Sequence, residues 1–215
     1  MTIISLSGFI GSGKSTAAQH LVDKHGFVAV SFASPLKDIL STVFGWDREQ
    51  LDGLTAQSRK WRTTMDPYWS LELGRMFSPR DALTEIGTDL FRNRFSTTIW
   101  VSSLEKKCIQ LSHQGKDVVI TDARFSNELA LVQSMGGSTI RIQRGDLPEW
   151  NQLAVKASQF PNTLYGLYCR YQLHRRNIHR SEWEWCGHQF SNVLVNNTIP
   201  ELHKQLDDVV AELKK

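Results

Sequence analysis

Apolar residues fall along this chain in two periods. Short runs at Ile3-Ile4-Ser5-Leu6, Phe27-Val28-Ala29-Val30-Ser31 and Val118-Val119-Ile120 have the length and β-branched character of buried strands, and Thr139-Ile140-Arg141-Ile142 and Val193-Leu194-Val195 read as further strands. Between them the spacing becomes helical: Ala17 to Val22 with a stop at Gly26, then Leu36, Ile39, Leu40 and Val43 with a stop at Gly45. Val101, Leu104, Cys108 and Leu111 lead in the same way to Gly115, a further helix covers Asn127 to Met135, and a closing one starts at Pro200. Ser34-Pro35 reads as a serine cap followed by proline in the first helical position, and Ser78-Pro79 opens another helix. Residues 46–78 are rich in Arg, Asp and Trp without a steady period, which predicts loops and short helices outside the sheet. Strands alternating with helices predict an α/β fold: a doubly wound, mainly parallel sheet of about five strands with flanking helices.

Composition narrows the class. At 215 residues and 40% hydrophobic content the chain suits a single domain, 1–215, with room for insertions. A net charge of +3 argues against a dedicated nucleic-acid surface and for small anionic partners, although basic residues crowd between Arg141 and Arg180. Cys108, Cys169 and Cys186 form no C-x-x-C pair and leave an odd thiol, the usage expected in a reducing cytoplasm. No apolar stretch reads as a signal peptide or membrane span, and Asn196-Asn197-Thr198, a glycosylation pattern, would go unused in the cytoplasm. Nothing in the sequence fixes the assembly state, a homodimer included.

The chemistry sits between the first strand and the first helix. Gly8-Phe9-Ile10-Gly11-Ser12-Gly13-Lys14-Ser15 matches G-x-x-x-x-G-K-[ST], a P-loop. Its glycines let consecutive N–H groups face inward, and the helix behind adds its positive end, so the loop cradles the phosphates of a nucleoside triphosphate. Gly8, Gly11, Ser12, Gly13, Lys14, Ser15 and Thr16 are therefore the candidate ATP-binding residues, with Lys14 as mobile cation and Ser15 as a ligand of Mg²⁺. Asp122, at the end of the third apolar run, is the second acidic anchor, reaching Mg²⁺ directly or through water. A switch GTPase would need D-x-x-G after that strand and a base-reading N-K-x-D. The chain instead continues Asp122-Ala123-Arg124-Phe125, and Asp23-Lys24-His25-Gly26 reads as a helix end. A kinase of small phosphorylated molecules needs cations on donor, acceptor and lid, and Arg80, Arg92, Arg94 and Arg124 are available.

Five ordered blocks resemble the phage-type deoxynucleoside monophosphate kinases. They are Ser7-Gly8 through Ser15, Phe32-Ala33-Ser34-Pro35-Leu36-Lys37, Pro79-Arg80-Asp81-Ala82-Leu83 with Gly87-Thr88-Asp89 and Arg92, Ile99-Trp100-Val101, and Asp122-Ala123-Arg124-Phe125 with Asn127-Glu128. The resemblance implies transfer of the γ-phosphoryl group of ATP to a deoxynucleoside monophosphate, in the cytoplasm of a host if the gene is a phage's. It implies an acceptor-binding helical region at about 35–100 and a lid insertion at about 144–190. Lys14, Arg80, Arg124 and Asp122 become the catalytic set, and Arg80, Thr84, Gly87, Thr88, Trp100, Asp122, Arg124 and Glu128 the acceptor set. Dephospho-coenzyme A kinase and phosphomevalonate kinase, which share the fold, are the alternatives; a nucleotide-dependent nucleic-acid-binding protein is a third. The chain departs from the pattern at Thr84, where the motif carries glutamine, and at Asn177, where D-x-H-x-S-E begins with an acid. Base preference is thereby left open.

The segment between Arg144 and Asn177 is longer than the family's link, and the stretch from Tyr165 to Trp185 is the most unusual in the chain. Arg144, Arg170, Arg175, Arg176 and Arg180 are the lid candidates, any of which could close over the transferring phosphates. Interleaved aromatics and cations would also suit single-stranded nucleic acid. Cys169, His174, Cys186 and His188 do not follow a standard zinc spacing.

Overall fold

The computed structural model describes all 215 residues, which divide into two units: residues 1–31 with 107–215, and residues 32–106. The first carries a parallel five-stranded sheet in the order β2-β3-β1-β4-β5, built from β1 (Ile3–Ser7), β2 (Val28–Val30), β3 (Val118–Ile120), β4 (Ser138–Gln143) and β5 (Asn192–Val195). All contacts between neighbouring strands are parallel, with Ile4 opposite Val119 on one side and Ser138 on the other. β1 and β3 are buried along their whole length, as the continuous apolar runs predict for central strands. β2 differs from that expectation. It forms the edge of the sheet, with Ala29 exposed and both valines only half-buried, because it pairs with β3 alone.

Helices of this unit are α1 (Lys14–His25), α8 (Ser126–Ser134), α9 (Asn151–Gln159), α10 (Leu164–Arg175), α11 (Arg180–Trp183) and α12 (Ile199–Leu213). Ile4 and Leu6 of β1 pack in one cluster with Leu21 of α1, Ile140 and Ile142 of β4, and Leu202 and Leu206 of α12. On the alternate side, Ile3 and Val132 of α8 stand so close to Gly137 that a Cβ there would lie 2.9 and 2.8 Å from them. Period-two alternation in β1 thus serves two helical layers. Across α9–α11 and the turn Glu184–Gly187 that follows, Ala154, Ala157, Cys169, Leu173, Trp183 and Trp185 are buried, whereas Tyr165, Tyr168 and Tyr171 are exposed.

The second unit holds α2 (Ser34–Phe44), α3 (Arg48–Asp52), α4 (Ala56–Arg62), α5 (Pro67–Leu73), α6 (Pro79–Thr84), a π-helical turn sequence over Glu85–Phe95, and the start of α7 (Ile99–His113). The aperiodic tryptophan-rich stretch builds an aromatic cluster. Phe44 stacks on Trp46 at 4.4 Å and meets Trp69 edge-on at 4.9 Å. Both indoles also find polar partners, Trp46 Nε1 donating to Asp66 and Trp69 Nε1 to the Phe44 carbonyl. The cap of α2 is Ala33, not Ser34. Ser34 has entered the helix, and no side chain caps its N-terminus.

Candidate active site

The phosphate loop runs from the carboxyl end of β1 into α1. Gly8, Gly11 and Gly13 have φ of +152°, +80° and +104°, values that side-chain-bearing residues rarely adopt. Two of them are also forced by crowding: a Cβ on Gly8 would lie 2.4 Å from the Ile142 carbonyl oxygen, and one on Gly13 2.3 Å from Asn196 Nδ2. Ser12 is buried, and its N–H donates to the Phe9 carbonyl at 3.1 Å. Ser15 and Thr16 occupy the first turn of α1, Ser15 exposed.

Lys14 folds back over the loop, its ammonium donating to the carbonyls of Gly8 and Phe9 at 2.8 Å each. Burial pushes its pKa down to about 8, and the Arg124 guanidinium adds like-charge repulsion. Two cations crowded at the loop form a site whose electrostatic strain an anion relieves. At the carboxyl end of β3, Asp122 accepts a hydrogen bond from the Ser31 hydroxyl at 2.7 Å, and Ser7 Oγ donates to the Ala123 carbonyl at 3.0 Å. The strand ends that carry the loop and the acid are thereby fastened together. Glu128 is buried, and its Oε2 accepts from the N–H groups of Arg124 (2.8 Å) and Phe125 (3.1 Å). It holds the backbone from which the Arg124 side chain departs.

Two residues beside the loop escaped the motif reading. Asn196 is 5% exposed; its Nδ2 donates to the Ser12 carbonyl at 2.8 Å while its backbone N–H donates to Gln143. Arg141 projects from β4 between two rings, 6.0 Å from the Phe9 centroid and 5.3 Å from that of Trp185, and its Nη2 is buried without a partner. Both come from elements distant in sequence from the loop. Only the unusual polar residue inside an apolar strand hinted at Arg141, and the glycosylation-like pattern masked Asn196.

Of the lid candidates, Arg144 lines a cavity with Phe9, Ser12, Arg141 and Asp146. Arg180 pairs with Glu184 and lies 5.9 Å from the Phe125 ring centroid, next to the Arg124 loop. Arg170 donates to the Pro161 carbonyl at 2.6 Å, and Arg175 and Arg176 are exposed where α10 ends.

The remaining candidates belong to the second unit. Arg80 is exposed near the start of α6, where a Ser78–Asp81 capping box engages two backbone N–H groups: Asp81 N–H donates to Ser78 Oγ, and Ser78 N–H donates to Asp81 Oδ2. A carboxylate at that helix end disfavours a second anion there, so any attraction for a phosphate would have to come from the Arg80 side chain. Thr84 donates its hydroxyl proton to the Arg80 carbonyl at 3.1 Å. Gly87 is buried against Leu36, whose Cδ2 a Cβ would meet at 2.4 Å, and its carbonyl accepts from Trp100 Nε1 at 2.9 Å. Trp100 is buried and tilts against Phe91 at 5.2 Å. The π-helical segment carrying Gly87, half-buried Thr88 and buried Arg92 is thus braced from below.

A model of the deoxynucleotide monophosphate kinase family matches residues 68–152. Over 155 residues the chain is 34% identical to a protein of Acanthamoeba polyphaga mimivirus that bears the name of a deoxynucleotide monophosphate kinase, the alignment covering 67% of this chain and 75% of that one. The chain belongs to the deoxynucleotide monophosphate kinase family. Among solved structures, this family member is similar to the dephospho-CoA kinase from Campylobacter jejuni, at 15% identity over 99% of this chain and 97% of that one, with a TM-score of 0.46. It is also similar to TT1252 from Thermus thermophilus, at 19% identity over 99% and 97% of the two chains, with a TM-score of 0.44. As a deoxynucleotide monophosphate kinase it is an ATP-dependent phosphotransferase acting on nucleotides. The span matched by the family model runs from α5 to the start of α9, and so takes in Arg80, Gly87, Trp100, Asp122, Arg124 and Glu128. No helix is long and apolar enough to cross a membrane.

Proposed function

We propose that the chain transfers the γ-phosphoryl group of ATP to the phosphate of a deoxynucleoside monophosphate, giving the diphosphate and ADP. The observation that carries this reading is a glycine-forced phosphate loop with a half-buried lysine, in the same chain as the span 68–152 that matches the deoxynucleotide monophosphate kinase family. Loop N–H groups and Lys14 hold the donor phosphates, and Arg124 neutralises charge that spreads over the equatorial oxygens as the bond to ADP breaks. The acceptor needs no separate base, because its phosphate is already ionised at neutral pH. Arg80 draws the acceptor phosphate, Gly87 and Thr88 line the nucleoside, and Trp100 acts by holding the Gly87 carbonyl. Asp122 stands by the deoxyribose, where a carboxylate crowds a 2′-hydroxyl.

Ser15 and Asp122 offer a hydroxyl and a carboxylate, the hard oxygen donors that suit Mg²⁺, and both belong to the loop-bearing unit. Bound there with ATP, Mg²⁺ would neutralise and orient the β- and γ-phosphate oxygens. Arg144 and Arg180 are the lid arginines nearest the chemistry, Arg144 through its cavity beside the loop and Arg180 through its place next to the Arg124 segment. We place the activity in the cytoplasm, with no nucleic-acid partner. Steady-state kinetics of Arg80→Ala test the assignment of sides: acceptor KM should rise and turnover fall while ATP KM holds. An effect confined to ATP KM would put Arg80 on the donor side and contradict it.

A further inference from the structure

A cluster of metal-ligating side chains lies away from the phosphate loop, at the seam of α1 and α12. His20 and His25, on α1, both direct Nε2 at a single oxygen of Asp207 on α12, at 2.8 and 2.7 Å from Oδ1. The three atoms lie within 4.8 Å of one another. His203, one helical turn before Asp207, stacks on the His20 ring at 3.9 Å and 14° and fixes its orientation. The side chains of His20 and His25 are only 11% and 18% exposed and that of Asp207 27%, so all three are held rather than waving in solvent. Burial works to protonate Asp207, but hydrogen bonds from Lys24, His25 and His20 hold its carboxyl well below the usual range, so it is an anion at neutral pH.

We propose that His20, His25 and Asp207 form a three-ligand site for a borderline divalent cation of the Zn²⁺ class, joining α1 to α12. Two imidazole nitrogens and one carboxylate oxygen, with a position left for water, make a donor set common to such ions. Bonds of ~2.0–2.1 Å in a tetrahedral site put ligand atoms about 3.3 Å apart, reached here by small side-chain rotations. In the metal-free protein each Nε2 bonds the Asp207 carboxylate, so binding takes the tautomer with its proton on Nδ1, which frees the Nε2 lone pair for the metal. Mg²⁺, which prefers oxygen ligands, does not compete. The one opposing group is Lys24, whose ammonium sits 2.7 Å from Asp207 Oδ2. Its side chain is 56% exposed and free to swing away.

The test uses the untagged full chain without nucleotide, titrated with Zn²⁺ against a chromophoric chelator and with Co²⁺ by visible absorption. One equivalent should bind, with Co²⁺ bands of nitrogen–oxygen character, unaffected by excess Mg²⁺, and Zn²⁺ should raise the thermal midpoint. His25→Gln and Asp207→Asn should each weaken binding more than about 100-fold, beyond what loss of a supporting group causes. Lys24→Ala, a surface change that leaves folding intact, should tighten binding several-fold by removing the competing charge. The proposal fails if the wild-type chain shows no saturable binding. It fails equally if His25→Gln and Lys24→Ala bind as the wild type does, or if the Co²⁺ spectrum shows thiolate charge transfer, which would place the ion on cysteine. None of these readouts depends on kinase activity.

Discussion

If Lys14 meets the donor phosphates as proposed, nucleotide binding should take up a proton. In the nucleotide-free protein, burial first and Arg124 second bring its pKa down from 10.5 to about 8. Phosphate oxygens against the ammonium reverse both causes, since they replace lost hydration and offset the neighbouring cation. ATP binding should therefore take up a proton wherever free Lys14 is neutral: about 0.1 proton per ATP at pH 7, rising to about 0.9 at pH 9, if the bound pKa returns to its ordinary range. The same shift has a stability sign. Lys14 opposes folding fully below about pH 8, and this opposition fades as pH rises toward 10.5, where the group is neutral in both folded and unfolded chains. Calorimetry of ATP binding at pH 9, in buffers of differing ionisation enthalpy, counts the protons. Lys14→Met should bind ATP more weakly, take up none of that proton and lose at least about 10²-fold in turnover. Equal uptake in wild type and Lys14→Met at pH 9 would refute the reasoning, as would no uptake in either.

Asn196→Ala strips the donor from the buried Ser12 carbonyl, a loss of about 1–3 kcal/mol, and should raise ATP KM while leaving acceptor KM unchanged; steady-state kinetics with each substrate varied check it. Trp100→Phe keeps the buried ring but abandons the Gly87 carbonyl, so acceptor KM should rise roughly fivefold or more with ATP KM unmoved, a split the same assay reads. Of the proposed lid arginines, Arg144→Ala should slow turnover by at least about tenfold and Arg175→Ala should not, because of the two only Arg144 lines the cavity beside the loop; equal turnover in the two variants would remove that distinction.

Much of the sheet is legible in the chain because central parallel strands must be apolar on both faces. β1 and β3 therefore stand out as runs, and the glycine stops at Gly26 and Gly45 mark helix ends through their left-handed φ. β2 looks identical in sequence, but whether a short apolar run is central or at an edge depends on pairing, which local pattern does not encode. The π-helical segment at 85–95 is hidden for a related reason: it is fixed by Gly87 lying under Leu36 and by the Trp100 bond, contacts made across the fold. The phosphate loop was readable because its glycines answer to local backbone demands. Asn196 was not, since its partner Ser12 is 184 residues away. Glu128 shows the middle case. The motif located it, and the structure adds that it secures the backbone at Arg124 and Phe125.

Phosphoryl transfer to a deoxynucleotide is settled by product analysis. The purified chain is given Mg-ATP with dTMP, dGMP, dCMP, dAMP, dephospho-coenzyme A or phosphomevalonate in turn, and ADP and phosphorylated product are measured together. Stoichiometric ADP and deoxynucleoside diphosphate are expected with at least one of the four deoxynucleotides, and both should be lost in Lys14→Met. ADP formed only with dephospho-coenzyme A or phosphomevalonate would contradict transfer to a deoxynucleotide.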